Sequence, residues 1–110
     1  MSETSVVNSI LNYYALYPSY VKLWRANTGA GTFQNKSGSE RFVRFMKKGF
    51  PDIFGIRYDG KFIAIECKFG KNKLNETQKE FKALFEGMNA IYILAYSLDD
   101  VIAVLKPEVR

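Results

Sequence analysis

A chain of 110 residues has room for one domain with a single modest core, and a 47% hydrophobic content with nine Phe and seven Tyr marks it as folded. Sixteen Lys plus Arg against eleven Asp plus Glu leave a net charge of +5, a balance that suits a polyanionic partner, nucleic acid first. With no histidine and one cysteine, imidazole-based acid–base and triad chemistry is excluded, and neither a structural zinc site nor an intramolecular disulfide is expected.

In chain order, residues 3–17 read as a first helix, because Val6, Val7, Ile10, Leu11, Tyr14 and Ala15 recur at three- and four-residue spacing. Tyr17-Pro18-Ser19 stops it. The alternation of Val21 and Leu23 with Lys22 and Arg25 predicts a strand over residues 20–27. A long basic stretch, residues 28–49, reads as an irregular segment, and loops of that length in a small domain usually serve a function. "PDIFGIRY" and "KFIAIECKF" are two strand-like runs joined by Asp59-Gly60, a strong hairpin signal. "NETQKEFKALFEG" is a helix, with Asn75 and Gln78 spaced as a capping box and Gly87 at its end. "AIYILAY" is a buried strand, and "SLDDVIAVL" a short last helix capped by Ser97 with Asp99 and Asp100 in its first turn. The predicted order is α-β-β-β-α-β-α, an α/β domain spanning residues 1–110. No apolar run approaches the length of a membrane span, and the N-terminal residues, with an early acid and no basic segment, do not read as a signal peptide.

Catalysis, if any, has to run on carboxylates, Lys, Tyr or Ser, or on a hard metal held by carboxylates. The hairpin supplies such groups. Strand alternation puts Phe62, Ala64, Glu66 and Lys68 on one face and Ile63, Ile65 and Cys67 on the other. An antiparallel return through Asp59-Gly60 brings Asp52 back close to Glu66–Lys68. Two carboxylates and the Cys67 backbone carbonyl suit Mg²⁺ or Mn²⁺, hard cations that prefer oxygen. Lys68 beside them can orient the attacking water and offset charge on a phosphate. The same residues also read as a surface ion pair at a strand end, worth about 0–1 kcal/mol.

Pro51-Asp52, thirteen intervening residues and then Glu66-Cys67-Lys68 resemble the PD-(D/E)xK nuclease signature, and the predicted element order is similar to the core of that superfamily. More narrowly, "GFPDIFG" followed by "IECKFGKNKLNETQKEF" resembles the VRR-NUC branch, with its Gly-x-Pro-Asp, its Glu-x-Lys and a Gln at the start of the next helix. "WRANTGAG" is similar to that branch's Arg-x-Asn-x-Gly segment, and the resemblance spans residues 3–100. It implies a restriction-endonuclease-like core, a mixed β-sheet flanked by helices. It implies a metal held by Asp52, Glu66 and the Cys67 carbonyl, Lys68 on the attacking water, and Gln78 assisting Lys68 or the phosphate. Glu3 would be a further acid, beside that metal or on a second one.

Gln78 and Glu3 each have a second reading from the residues alone, as a capping-box partner and as a first-turn acid. Arg25, Asn27, Arg41, Arg44, Lys47, Lys48, Lys71 and Lys73 are the candidate contacts to a nucleic-acid backbone, or else a solvated basic face. Trp24, Phe42 and Phe45 can stack on unpaired bases or belong to the core. The implied activity is a Mg²⁺- or Mn²⁺-dependent DNA endonuclease in the cytoplasm of a bacterium or phage-infected host. Branched DNA such as a four-way junction is the implied substrate, cut by a homodimer whose two-fold symmetry supplies two incisions. A non-catalytic basic nucleic-acid-binding module and a sequence-specific restriction-type nuclease are the competing expectations.

Overall fold

The computed structural model describes residues 2–26, 30–34, 40–44 and 47–108, with 30–34 and 40–44 described by their backbone. The chain runs α1 (Glu3–Tyr14), β1 (Val21–Arg25), β2 (Ala30–Gln34), β3 (Glu40–Arg44), β4 (Ile53–Arg57), β5 (Phe62–Cys67), α2 (Glu76–Gly87), β6 (Ile91–Ala95) and α3 (Leu98–Ile102). Strands β1, β4, β5 and β6 form one mixed sheet in that order, with β1–β4 and β4–β5 antiparallel and β5–β6 parallel. The parallel step needs a crossover, which α2 provides. The protein is therefore α/β, with a four-stranded mixed sheet flanked by helices.

Strand β5 lies inside the sheet, and its near-continuous apolar run reflects burial on both faces. One face carries Ile53, Ile63, Ile65, Cys67, Ile93 and Ala95 and packs against Val6, Val7, Ile10 and Tyr14 of α1, with Val101 of α3 and Leu105 beyond it. Burying each large aliphatic side chain there contributes about 1.5–3 kcal/mol relative to leaving it exposed. The other face is aromatic: Phe54 and Phe62 stack on one another, and Phe62 meets Phe85 of α2 while Phe50 meets Phe81 and Phe85. Among the described residues, no helix is long and apolar enough to cross a membrane.

The helix α1 is shorter than its apolar pattern suggests. After Tyr14 the chain closes through Leu16 N–H to Tyr13 O (3.1 Å) and Tyr17 N–H to Tyr14 O (3.0 Å), tighter bonds that end the helix ahead of Pro18. Residues 28–49, expected as irregular, contain β2 and β3, which pair antiparallel with Ala30 opposite Arg44 and Gln34 opposite Glu40. Gly and basic residues dilute the apolar alternation there, so the pairing is weakly written in the local pattern. Gly87 is the last residue of α2 rather than its terminator, and the left-handed position falls on Asn89 (φ 64°). Ser97 sits at the N-cap of α3 without a capping side-chain bond, while Asp100 Oδ2 accepts from Tyr96 N–H at 2.8 Å.

Candidate metal centre

The hairpin turn decides where Asp52 arrives. Arg57 N–H donates to Lys61 O (2.9 Å) and Gly60 N–H donates to Arg57 O (2.9 Å), with Gly60 at φ +88°. Tyr58 therefore joins Asp59 and Gly60 in the loop, the geometry of a turn closed by a left-handed glycine. Asp59 grips the strand end by accepting from Arg57 Nε (2.9 Å) and Nη2 (2.7 Å). The ladder then sets Ile53 opposite Ile65, and one step further on Asp52 falls opposite Glu66. A loop of Asp59 and Gly60 alone would move the register by one residue and set Asp52 against Cys67, on the wrong face.

Asp52 is held on both sides. Its carbonyl accepts from Ala26 N–H at 2.8 Å, just past the end of β1, and its Oδ2 accepts from Cys67 N–H at 2.9 Å. The chain past β5 stays attached to β6 through Lys68 N–H to Ala95 O (2.9 Å). Glu66 and Lys68 leave β5 on the face covered by α2, at 3% and 9% exposure, so both ionisable residues are buried.

Helix α2 delivers Gln78 to this face. Its Oε1 accepts from Asn75 N–H (3.0 Å) and its N–H donates to Asn75 Oδ1 (2.9 Å), which completes the capping box. Its Nε2 donates to Glu66 Oε2 at 3.3 Å. One side chain thus starts the helix and touches the buried carboxylate, and the two sequence readings of Gln78 coexist. The approach of α2 depends on Gly49 (φ +91°), where an added Cβ would collide with Thr77 Cγ2.

The third acid comes from α1. Ser2 caps the helix and Ser5 returns the bond, leaving Glu3 in the first turn at the site's end of the sheet. One carboxylate oxygen each from Glu3, Asp52 and Glu66 lies within 4.8 Å of the others, and burial grades from exposed Glu3 through half-buried Asp52 to buried Glu66. Burial first, and then the facing Asp52 carboxylate, push the Glu66 carboxyl up to about 9, with Lys68 opposing and Glu3 adding to the shift. Such a group holds its proton at neutral pH. Tyr92 adds a further sign of an incomplete polar site: its hydroxyl is buried without a hydrogen-bond partner among the described residues. Burial and then the charges of Glu66 and Asp52 raise its pKa.

Three convergent oxygens with an open outer side fit a hard divalent ion. Cys67 contributes no thiolate to it, since the side chain is buried on the opposite face and burial drives its pKa upward. Of the other expected residues, Arg25, Lys47, Lys48, Lys71 and Lys73 are exposed. Asn27 and the side chains of Arg41 and Arg44, with those of Phe42 and Phe45, lie outside the described residues. Tyr92 escaped the sequence reading because only the pairing of Ala64 with Tyr92 assigns its face. No protein-family model, no curated protein and no solved structure matches the chain.

Proposed function

We propose that the protein is a metal-dependent nuclease of the restriction-endonuclease-like fold, of the VRR-NUC type, hydrolysing DNA phosphodiesters. The carrying observation is the approach of Glu3, Asp52 and Glu66 to within 4.8 Å, two of them from the ends of the hairpin and one from a separate helix. A surface ion pair would not require burial of Glu66 and Lys68 on one face with Gln78 placed against the glutamate.

Asp52 and Glu66 would hold Mg²⁺ or Mn²⁺ with the Cys67 carbonyl, and Glu3 would complete the set from the solvent side. The ion supplies Lewis-acid activation of water and of the scissile phosphate. Cys67 N–H fixes the Asp52 carboxylate, and Gln78 Nε2 fixes that of Glu66, so neither has to be ordered when the metal binds. Lys68 brings a buried cation to the same face. It would hold the attacking water by hydrogen bonding and offset the charge that grows on the phosphoryl oxygens as one P–O ester bond breaks. Exposed Arg25, Lys47, Lys48, Lys71 and Lys73 would take the flanking phosphates. Branched DNA cut by a homodimer is the substrate and assembly that the VRR-NUC resemblance suggests.

The test is a cleavage panel of four-way junction, flap, single-stranded and linear duplex DNA with Mg²⁺ or Mn²⁺, run beside Asp52→Asn. The expected outcome is metal-dependent nicking with preference for branched DNA, reduced at least a hundredfold in the variant. DNA left intact under all conditions, but still bound, would favour the non-catalytic module. Cutting of linear duplex at one motif would favour a restriction-type enzyme.

A further inference from the structure

The sheet face that carries Glu66 ends, at its edge strand, in the only tryptophan of the chain. Trp24 pairs with Phe54 across β1–β4, and Phe54 pairs with Ala64 across β4–β5, so the indole shares the face of Phe54, Ala64 and Glu66. It is 51% exposed. Its inner side rests on Phe54, with ring centroids 5.9 Å apart and planes inclined by 33°. Behind it the planes of Phe54 and Phe62 are inclined by 23°, and those of Phe62 and Phe85 by 33°. The rings form a row of successive contacts that runs from α2 to the sheet edge and, among the described residues, stops at the half-exposed Trp24.

Its position relative to the acids is set by the same ladder. Trp24 lies one strand and two residues from Asp52, about 8 Å between Cα atoms from strand spacing and rise. Neighbouring nucleotides in an extended single strand are spaced on a similar scale. Lys22, two residues back on the same face, is an exposed cation beside the ring; Arg25 is exposed too but leaves the opposite face at the strand end, and Lys47 and Lys48 are exposed just ahead of Asp52. An apolar partner would gain nothing from this cationic surround. A nucleobase has a flat π-face for the indole and a phosphate for the lysines.

We propose that Trp24 is a base-stacking subsite that takes an unpaired nucleotide flanking the phosphate that a metal held by the acidic cluster would bind, so that the preferred substrate has single-stranded character there. This subsite deepens, and for its role in cleavage rests on, the nuclease reading given above. A base on the outer face extends the aromatic row by one ring, whereas a fully paired duplex has no free base face to offer. Stacking of this kind is worth about 1–3 kcal/mol per base.

Because the chain has one tryptophan, intrinsic fluorescence reads this side chain alone. The experiment titrates wild-type protein in EDTA with an oligothymidylate of about eight nucleotides, and separately with blunt duplex. Expected are quenching of Trp24 emission by the single strand and little change with duplex. Trp24→Ala, followed by anisotropy of labelled DNA, is expected to weaken single-strand binding roughly 5- to 150-fold, with Trp24→Phe recovering most of the loss. Duplex binding should change less than about threefold, since phosphate contacts dominate it.

An unquenched indole on a bound single strand would overturn the proposal without recourse to any variant. Equal weakening of single-strand and duplex binding by Trp24→Ala would also overturn it. So would a blue shift that grows with protein concentration in the absence of DNA, because a second copy would then cover the ring. EDTA separates this result from cleavage: quenching by a protein that cuts nothing keeps the subsite and removes the nuclease. Cutting without quenching does the reverse.

Discussion

Replacing Glu66 by Gln should make the metal-free protein more stable at alkaline pH while abolishing its response to metal. The ordinary carboxyl pKa of 4.5 applies to Glu66 in the unfolded chain, and the folded environment raises it to about 9. Between those values the folded state binds a proton that the unfolded state has released, so stability falls as pH rises through the window. The penalty is absent below the unfolded value and complete above the folded one. Each pH unit costs up to about 1.4 kcal/mol, which sets a ceiling of about 3 kcal/mol at pH 7. The Asp52 charge supplies part of the rise after burial, and relaxation around the ionised Glu66 carboxylate keeps the realised cost below that ceiling.

The amide of the Glu66→Gln variant keeps the shape, keeps an acceptor for Gln78, and does not ionise. Thermal melts in EDTA between pH 5 and pH 9 should therefore show a wild-type Tm that drops below that of the variant by roughly 5–15 °C at the alkaline end, for a gap of about 1–3 kcal/mol. All other titrating groups are common to both proteins, so the difference between the two curves reports the ionisation of Glu66 together with its effect on the neighbouring charges. Adding Mg²⁺ or Mn²⁺ at pH 8 should lift the wild type and leave the variant unmoved. Parallel pH curves would refute the burial argument, and equal metal stabilisation of both proteins would remove Glu66 from the site.

Two further expectations probe the supports of the site and the core. Gln78→Glu retains the capping box, which accepts a carboxylate as readily, but replaces the amide donor to Glu66 with a further carboxylate. Helix content by circular dichroism should hold while cleavage falls at least tenfold, and unchanged cleavage would confine Gln78 to capping. Tyr14→Phe removes a buried bond from the Tyr14 hydroxyl to Leu105 O at 2.6 Å, joining α1 to the segment after α3. Urea denaturation should show a loss of about 1–2 kcal/mol, and a loss below about 0.3 kcal/mol would mean that the carbonyl finds another donor.

The amino-acid pattern determined much of this by local chemistry. Helical spacing from Val6 to Tyr14 marked α1, and the Asn75–Gln78 spacing marked the start of α2, because caps and amphipathic stripes depend on near neighbours. Alternation alone placed Glu66 and Lys68 on one face. Strands β2 and β3 were missed because their apolar residues are sparse and the pairing is what defines them.

The rest depended on contacts that no local pattern contains. Inclusion of Tyr58 in the turn set the register that puts Asp52 opposite Glu66, and one residue of slip would have sent the carboxylate to the other face. Glu3 reaches the cluster only because the apolar stripe of α1 lies on the core and carries its N-terminus to that end of the sheet. Gln78, Tyr92 and Trp24 gain their positions from sheet order and from the packing of α2. Sequence periodicity specifies which way a side chain leaves its own element; which other elements it then meets is set by their packing in three dimensions.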